Sequence, residues 1–249
     1  PNDITGTLIV AENSANGTIV GTVTGQDVDS GETLTYSLVD DADGRFAINS
    51  STGVITDANS TLLNYEAATS HNLTVRVTDT AGATFEKLMT VTLTDVDEFD
   101  VGPVADINAA SNNVNDNVAL GTTVGITASA SDADATNNTI TYTLDDSASG
   151  RFAVNSSTGV VTVAGAIDYE TSTSHSITVR ATSSDTSVST QSFTITIGDV
   201  DEFDVGAVAD SNATSNNVDE NAAVGTVVGV TASAADADAT TNTITYTLT

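Results

Sequence analysis

The chain has 249 residues, with 34 acids against five bases (Arg45, Arg76, Lys87, Arg151 and Arg180), and a formal net charge of −29. A surface of that sign repels nucleic acid and anionic membrane and excludes both as partners. The absence of cysteine excludes disulfides and thiolate metal sites, while 39% hydrophobic residues and a mean hydropathy of +0.03 can supply folded cores.

In chain order, strands are predicted over residues 7–10, 18–23, 34–38, 46–49, 53–56, 72–78 and 84–94. The signal is a hydrophobic period of two: Leu73, Val75 and Val77 alternate with Thr74, Arg76 and Thr78, and Met89, Val91 and Leu93 alternate with threonines. Asn16-Gly17, Ser30-Gly31, Asp43-Gly44 and Thr52-Gly53 supply turns between them. No segment carries a helical period. About seven short alternating strands point to an all-β fold, a Greek-key sandwich of two sheets.

The pattern then repeats. Asp95-Val96-Asp97-Glu98-Phe99-Asp100 returns as Asp199-Val200-Asp201-Glu202-Phe203-Asp204, and the strands Ile177, Val179, Ala181 and Phe193, Ile195, Ile197 answer those of the first repeat. A fixed period of about one hundred residues is the mark of tandem small domains. The predicted organisation is repeat one over 1–99, repeat two over 100–203 and the start of a third, truncated repeat over 204–249. The third supplies only the first strands of a sandwich and is expected to be poorly ordered alone. Length changes between repeats fall in segments read as loops: 53–66 is two residues longer than 159–170. Tyr36 and Phe46, matched by Tyr142 and Phe152, are expected in the cores.

The acids keep step with the period. Glu12-Asn13 recurs as Asp116-Asn117 and Glu220-Asn221. Asp27-x-Asp29 recurs as Asp132-x-Asp134 and Asp236-x-Asp238. Asn64-Tyr65-Glu66 recurs as Asp168-Tyr169-Glu170, and an acidic linker closes each full repeat. Carboxylates gathered where hydrophobic runs end repel one another unless a hard cation with oxygen ligands joins them. No single loop has an EF-hand pattern, so these acids converge only by folding. With its Phe46-Ala47-Ile48 and Gly53-Val54-Ile55 framework, this four-part signature resembles the cadherin repeat across both full repeats and the start of the third.

The resemblance implies an immunoglobulin-like sandwich architecture and about three calcium ions at each junction between repeats. At the first junction it implies ligands from Glu12, Asn64, Glu66, Asp95, Asp97, Glu98, Asp132, Asp134 and Asn138, with backbone carbonyls of Val96 and Phe99. At the second it implies Asp116, Asp168, Glu170, Asp199, Asp201, Glu202, Asp236, Asp238 and Asn242, with Val200 and Phe203. Asp27, Asp29 and Asp79 would serve a junction to a preceding repeat. Two departures stand out: Asn64 replaces an acid, and Ser183 stands where repeat one has Asp79, with Asp185 two residues on. The linker and the threonine-rich, cysteine-free composition look more like the cadherin-like arrays of large bacterial surface adhesins, so an exported, cell-surface location is expected. With no Trp in the chain, a strand swap through tryptophan is excluded.

The functional expectation is therefore a calcium-stiffened extracellular rod used in cell–cell or cell–surface adhesion, with homophilic or heterophilic contacts. The alternatives are a glycan- or protein-binding module and a laterally assembled fibre or sheath. Enzymatic activity is not expected: carboxylate pairs recur in every repeat rather than once in a cleft, and neither a nucleophile–base set nor a phosphate-binding loop is present. His71 and His175, in matching Ser-His-x-x-Thr-Val-Arg segments, are expected to be structural, and Arg76 and Arg180 to cover a sheet face or pair with acids.

Overall fold

The structure, a computed structural model, describes residues 1–29 and 31–249; Ser30, half of one expected turn, lies outside the described residues. The chain divides into two compact units. The first comprises residues 1–100, 132–139 and 183–185, and the second residues 101–131, 140–182 and 186–249.

The first unit contains β1 (Asp3–Thr5), β2 (Leu8–Ala11), β3 (Ile19–Thr22), β4 (Thr24–Gln26), β5 (Thr35–Asp40), β6 (Phe46–Ile48), β7 (Val54–Asp57), a 3-10 turn (Ser60–Leu62), β8 (Ser70–Thr78) and β9 (Thr84–Thr94). One sheet has the order β2-β9-β8-β5, with β2 parallel to β9 and the other pairs antiparallel. The second sheet is β3-β7-β6, and β1 pairs with β4. Alternation buries Leu73, Val75 and Val77 of β8 with Val91 and Leu93 of β9, against Val20, Phe46 and Ile55. Met89 packs only at the core's edge.

The second unit repeats this plan. Its strands are β10 (Ala105–Asp106), β11 (Asn113–Asn115), β12 (Thr123–Ser129), β13 (Thr141–Asp146), β14 (Phe152–Val154), β15 (Val160–Val163), β16 (Ser174–Thr182), β17 (Val188–Gly198), β18 (Ala209–Asp210) and β19 (Ala232–Ser233). The sheets are β11-β17-β16-β13 and β10-β12-β15-β14, with the small pair β18-β19. Across 204–249 no apolar side chain is buried. Among the described residues no helix is long and apolar enough to cross a membrane.

Two strands of the first unit were not anticipated, β1 and β4. The expected strand over 18–23 breaks at Val23, whose side chain enters the core while its N–H bonds to Gly53 O at 2.9 Å. Gly53 lies at φ +68°, and a Cβ there would run into Val23 O, so only glycine suits this turn. Tyr36 and Tyr142 join the cores as expected, each hydroxyl accepting a backbone N–H, from Gly25 (3.2 Å) and Ala130 (3.0 Å). Arg76 pairs with Glu86 at 2.6 Å, and Arg180 makes a two-point contact with Asp145 at 2.8 and 2.6 Å.

β7 ends on a carboxylate where β15 ends on Val163, in the same register opposite Phe46 and Phe152. Asp57 is 1% exposed, its Oδ1 has no partner, and its Oδ2 accepts only the Ser14 hydroxyl among side chains, at 3.3 Å. Burial pushes its carboxyl pKa up, against the Ser14 hydroxyl. An under-satisfied buried group costs about 1–3 kcal/mol, and about 1 kcal/mol moves a domain of this size by roughly 4–8 °C. Asp57→Val is therefore expected to raise Tm by several degrees at neutral pH, and the gain should shrink on acidification as the native carboxyl takes up its proton. Calorimetry on the pair checks it; a lower Tm for the variant would refute this account.

Candidate metal centre

In the first unit the centre begins at a strand end. The parallel pairing of β2 with β9 stops at Ala11 and Thr94, and the next N–H, of Glu12, still bonds to Thr94 O at 3.1 Å. Glu12 therefore enters the unit beside the linker that leaves β9. Its carboxylate is 1% exposed and ties two segments together, Oε1 accepting Val96 N–H at 3.0 Å and Oε2 accepting Tyr65 N–H at 2.6 Å. Asn13 follows at φ +51°, a left-handed backbone that asparagine tolerates well. Its amide donates to Glu98 Oε1 at 3.1 Å. The acid-asparagine motif thus places one carboxylate and positions another. Asn117 and Asn221 share the conformation, at φ +52° and +60°.

Asp134 reaches the same place from residues 132–139. Its Oδ2 accepts the N–H groups of Glu98 (2.9 Å) and Phe99 (3.4 Å), while its Oδ1, on a residue 2% exposed, has no partner. Glu66 Oε1 accepts Ala135 N–H at 3.3 Å and its Oε2 is buried without one. Both oxygens of Asp95 are buried and unpartnered. Ligand atoms of Glu12, Asp95 and Glu98 lie within 4.8 Å of one another, as do those of Glu66, Asp95 and Asp134. Asp95 belongs to both groups.

The electrostatics are those of crowded anions. Burial pushes up the pKa values of Glu66 and Glu98, and neighbouring carboxylates add to it, Glu12 first in each case. Asp97 is raised by burial and then by Asp185 and Asp134. Asp134 is held low: burial opposes its charge, but the Glu98 and Phe99 N–H groups outweigh it. Among the described residues no lysine or arginine pairs with any of these acids.

The second unit holds the matching centre. Asp116 N–H bonds to Gly198 O at 2.9 Å, and its carboxylate, 1% exposed, accepts Tyr169 N–H at 3.2 Å through Oδ2 and leaves Oδ1 unpartnered. Asp116, Glu170, Asp199 and Glu202 form one group within 4.8 Å. Asp238, 2% exposed, accepts Glu202 N–H at 3.1 Å, and Glu170 accepts Ala239 N–H at 3.2 Å. The Glu202 pKa is raised by burial, then by Asp116 and Glu170.

Other expected ligands stand outside these groups. Asn64 and Asp168 turn their side chains onto their own loops, accepting Ala67 N–H (2.6 Å) and Thr171 N–H (3.0 Å). Asp132 and Asp236 each accept a backbone N–H two residues on, from Asp134 and Asp238. Asn138 and Asn242 donate to backbone carbonyls, Asp134 O (2.6 Å) and Ala239 O (3.4 Å). Asp97 and Asp201 join neither group, and Val96, Phe99, Val200 and Phe203 keep partly exposed side chains. Asp27, Asp29 and Asp79 belong to none of these groups among the described residues; Asp29 N–H bonds to Asp27 Oδ1 at 2.9 Å, and Asp79 Oδ1 accepts Ala83 N–H at 2.8 Å.

His71 and His175 belong to none of these acid groups, each packing its ring near a core phenylalanine, at 6.3 Å from Phe46 and 5.9 Å from Phe152, although His175 lines one cavity with Asp168. Burial lowers both pKa values, with Arg45 and Arg151 adding to it, which suits neutral packing residues.

The profile of the cadherin domain matches residues 7–97 and 111–198. The chain belongs to the cadherin family. It is similar to mouse protocadherin Fat 4, 35% identical over 176 residues that cover 69% of this chain and 4% of that protein. Human cadherin-23 is 32% identical over 180 residues, 70% of this chain and 5% of that protein. The chain therefore spans only a small part of the length of these relatives. Among solved structures, repeats EC22–24 of mouse cadherin-23 match with a TM-score of 0.70 and 25% identity, over 96% of this chain and 79% of that one. The cadherin sandwich accounts for the sheet order above; Glu12, Asp95, Asp116 and Asp199 directly follow strand ends, and the other acids of the two centres lie in loops and linkers.

Proposed function

We propose that this segment is a calcium-binding, extracellular structural and adhesive stretch of a cadherin array. It comprises repeats over 1–99 and 100–203 and the start of another over 204–249. Calcium held by the acids of consecutive repeats and their linker stiffens the array. The first centre would hold calcium through Glu12, Glu66, Asp95, Glu98 and Asp134, and the second through Asp116, Glu170, Asp199 and Glu202. The observation that carries this reading is the buried, unpartnered carboxylate oxygens of Asp95 and Asp134 in the first centre and of Asp116 and Asp199 in the second, with no basic side chain paired to them among the described residues. Hard oxygen donors in that number suit calcium, whose coordination takes six to eight of them. Magnesium, which dehydrates reluctantly and demands a tight octahedron, suits them less well.

The segment is not an enzyme; its carboxylates serve a resident cation. Adhesion would proceed through homophilic or heterophilic protein contacts made by the whole array. The relatives named above are animal proteins. The cysteine-free, threonine-rich composition and the Asp-Val-Asp-Glu-Phe-Asp linker support an exported bacterial surface adhesin as the parent.

Thermal unfolding in calcium, in chelator and in magnesium tests the reading. A ligand bound only by the folded chain at about one hundred times its Kd adds about 2.7 kcal/mol. Calcium is therefore expected to raise Tm by roughly 10 °C or more over chelator, with a smaller rise in magnesium. Equal melting in all three would leave the acids as a solvated surface.

A further inference from the structure

We propose that the second repeat carries a pocket for a small monocarboxylate at Arg151 and His175, opened by a loop two residues shorter than its counterpart in the first repeat.

Four of the five basic side chains in this chain of net charge −29 are paired with an acid: Arg45 with Asp43, Arg76 with Glu86, Lys87 with Asp3 and Arg180 with Asp145. Among the described residues Arg151 alone has no such partner, although it is half-buried. Partial burial of a charge without a counterion is unfavourable, so a group that supplies one is drawn to it.

The first repeat shows what has been taken away. Arg45 and Arg151 each precede a core phenylalanine, and each donates through Nη1 to the carbonyl three residues back, Ala42 O at 2.8 Å and Ala148 O at 3.0 Å. Arg45 Nε also donates to Leu62 O at 3.1 Å, and Asp43 lies 3.5 Å from its Nη1. Neither partner survives in the second repeat. Ser149 stands in place of Asp43, and Gly165-Ala166 in place of Asn59-Ser60-Thr61-Leu62. The two loops begin and end alike. Ala58 and Ala164 N–H groups bond to Arg45 O (2.8 Å) and Arg151 O (2.7 Å), and Leu63 and Ile167 are both buried. The shorter loop therefore leaves Arg151 Nε without the carbonyl that its counterpart uses.

A cavity of about 170 Å³ lies there, lined by Arg151, Ala166, Asp168, Thr171 and His175. His175 adds a second polar group, since its Nε2 is buried without a partner. Arg151 is close enough to oppose a charge on the imidazole, after burial, so the ring is neutral and can donate through that nitrogen. His71 Nε2 is unpartnered too, so the arginine and the short loop, rather than the imidazole alone, define the site. Asp168 is already engaged by Thr171, whose N–H and hydroxyl donate to Oδ1 (3.0 Å) and Oδ2 (2.9 Å). What remains on offer is a guanidinium edge beside an imidazole nitrogen, donors that suit a planar carboxylate. Asp168 and the charge of the whole chain oppose a doubly charged anion.

The chain has two histidines, so their ring signals in NMR report the pocket through His175 and a control through His71. The whole chain, in calcium at neutral pH and fixed ionic strength, is titrated with sodium acetate, sodium glucuronate, sodium sulfate and glucose. Acetate and glucuronate are expected to move the His175 signals saturably in the millimolar range and to leave His71 unmoved, with sulfate weaker and glucose without effect. Tighter binding of glucuronate than of acetate would assign the natural ligand to sugar acids, and equal binding to carboxylates at large. Arg151→Gln is expected to weaken binding about tenfold or more. Ala166→Leu, at an exposed loop position, should fill the cavity and abolish binding, which tests the site even if Arg151→Gln does not fold. Unmoved His175 signals, equal movement of His71, sulfate binding as tightly as acetate, or a full response in Ala166→Leu overturns the inference and leaves the calcium reading untouched.

Discussion

Asp95→Asn is expected to move the melting temperature in opposite directions with and without calcium. Asp95 is shared by the two acid groups of the first unit, and both its oxygens are buried with no partner. In calcium, its loss removes the one ligand that both groups use, so most of the metal's contribution at that centre disappears. Losing a ligand at one hundred times Kd corresponds to about 2.7 kcal/mol, or a fall of roughly 10 °C. In chelator the same change removes an unpaired buried charge from among Glu12, Glu66, Glu98 and Asp134, and the new amide donates hydrogen bonds to them. Relief of that kind is on the order of 1–3 kcal/mol, so the metal-free variant should melt several degrees above the original chain. The second centre, built on Asp116, Glu170, Asp199 and Glu202, supplies the internal control and should keep its calcium response. A variant that melts lower in chelator, or one that keeps the full calcium shift of the first unit, contradicts this reading of the cluster.

The acids that converge were legible in the sequence because they repeat in phase with the strands. Glu12, Glu66, Asp95, Glu98 and Asp134 could be picked out without any coordinates, and alternation located the long strands β8 and β9. What escaped lies at shorter range. β1 and β4 are three residues each, too short for alternation to register, and Thr24-Gly25-Gln26 carries no apolar signal. The strand expected to end at residue 56 runs on to Asp57, since a polar residue in a core position reads as a loop. Asn64 and Asp168 match the ligand motif in type and spacing, and each side chain also accepts a backbone N–H three residues on within its own turn. Asparagine and aspartate make such local bonds readily, and motif spacing does not register that second, local role. The asparagine after Glu12 was visible as part of a motif, but its left-handed backbone and its bond to Glu98 emerge only from the folded chain.

Acidification is expected to close the gap between the calcium-loaded and chelated melting temperatures. The carboxyls of Glu66, Asp97, Glu98 and Glu202 have pKa values raised by burial first and by neighbouring acids next. A carboxyl that is harder to ionise in the folded chain than in the unfolded one destabilises the fold wherever both are ionised. That penalty fades as pH falls through the raised folded-state pKa toward the ordinary carboxylate range, so these groups make the chelated protein gain stability as it is acidified from neutrality. Asp134 and Asp238, held low by backbone N–H groups that outweigh burial, act the other way. Their contribution is complete above the unfolded aspartate value of about 3.9 and is lost only below it. The calcium-loaded protein needs the same carboxyls deprotonated, so protons compete with the metal and its affinity falls over that interval. The chelated curve should therefore rise while the calcium curve falls or stays level. Melting series at stepped pH, each with calcium and with chelator, check this directly. A gap that holds constant down to the ordinary glutamate pKa of about 4.3 would mean that the raised carboxyls are not the calcium ligands.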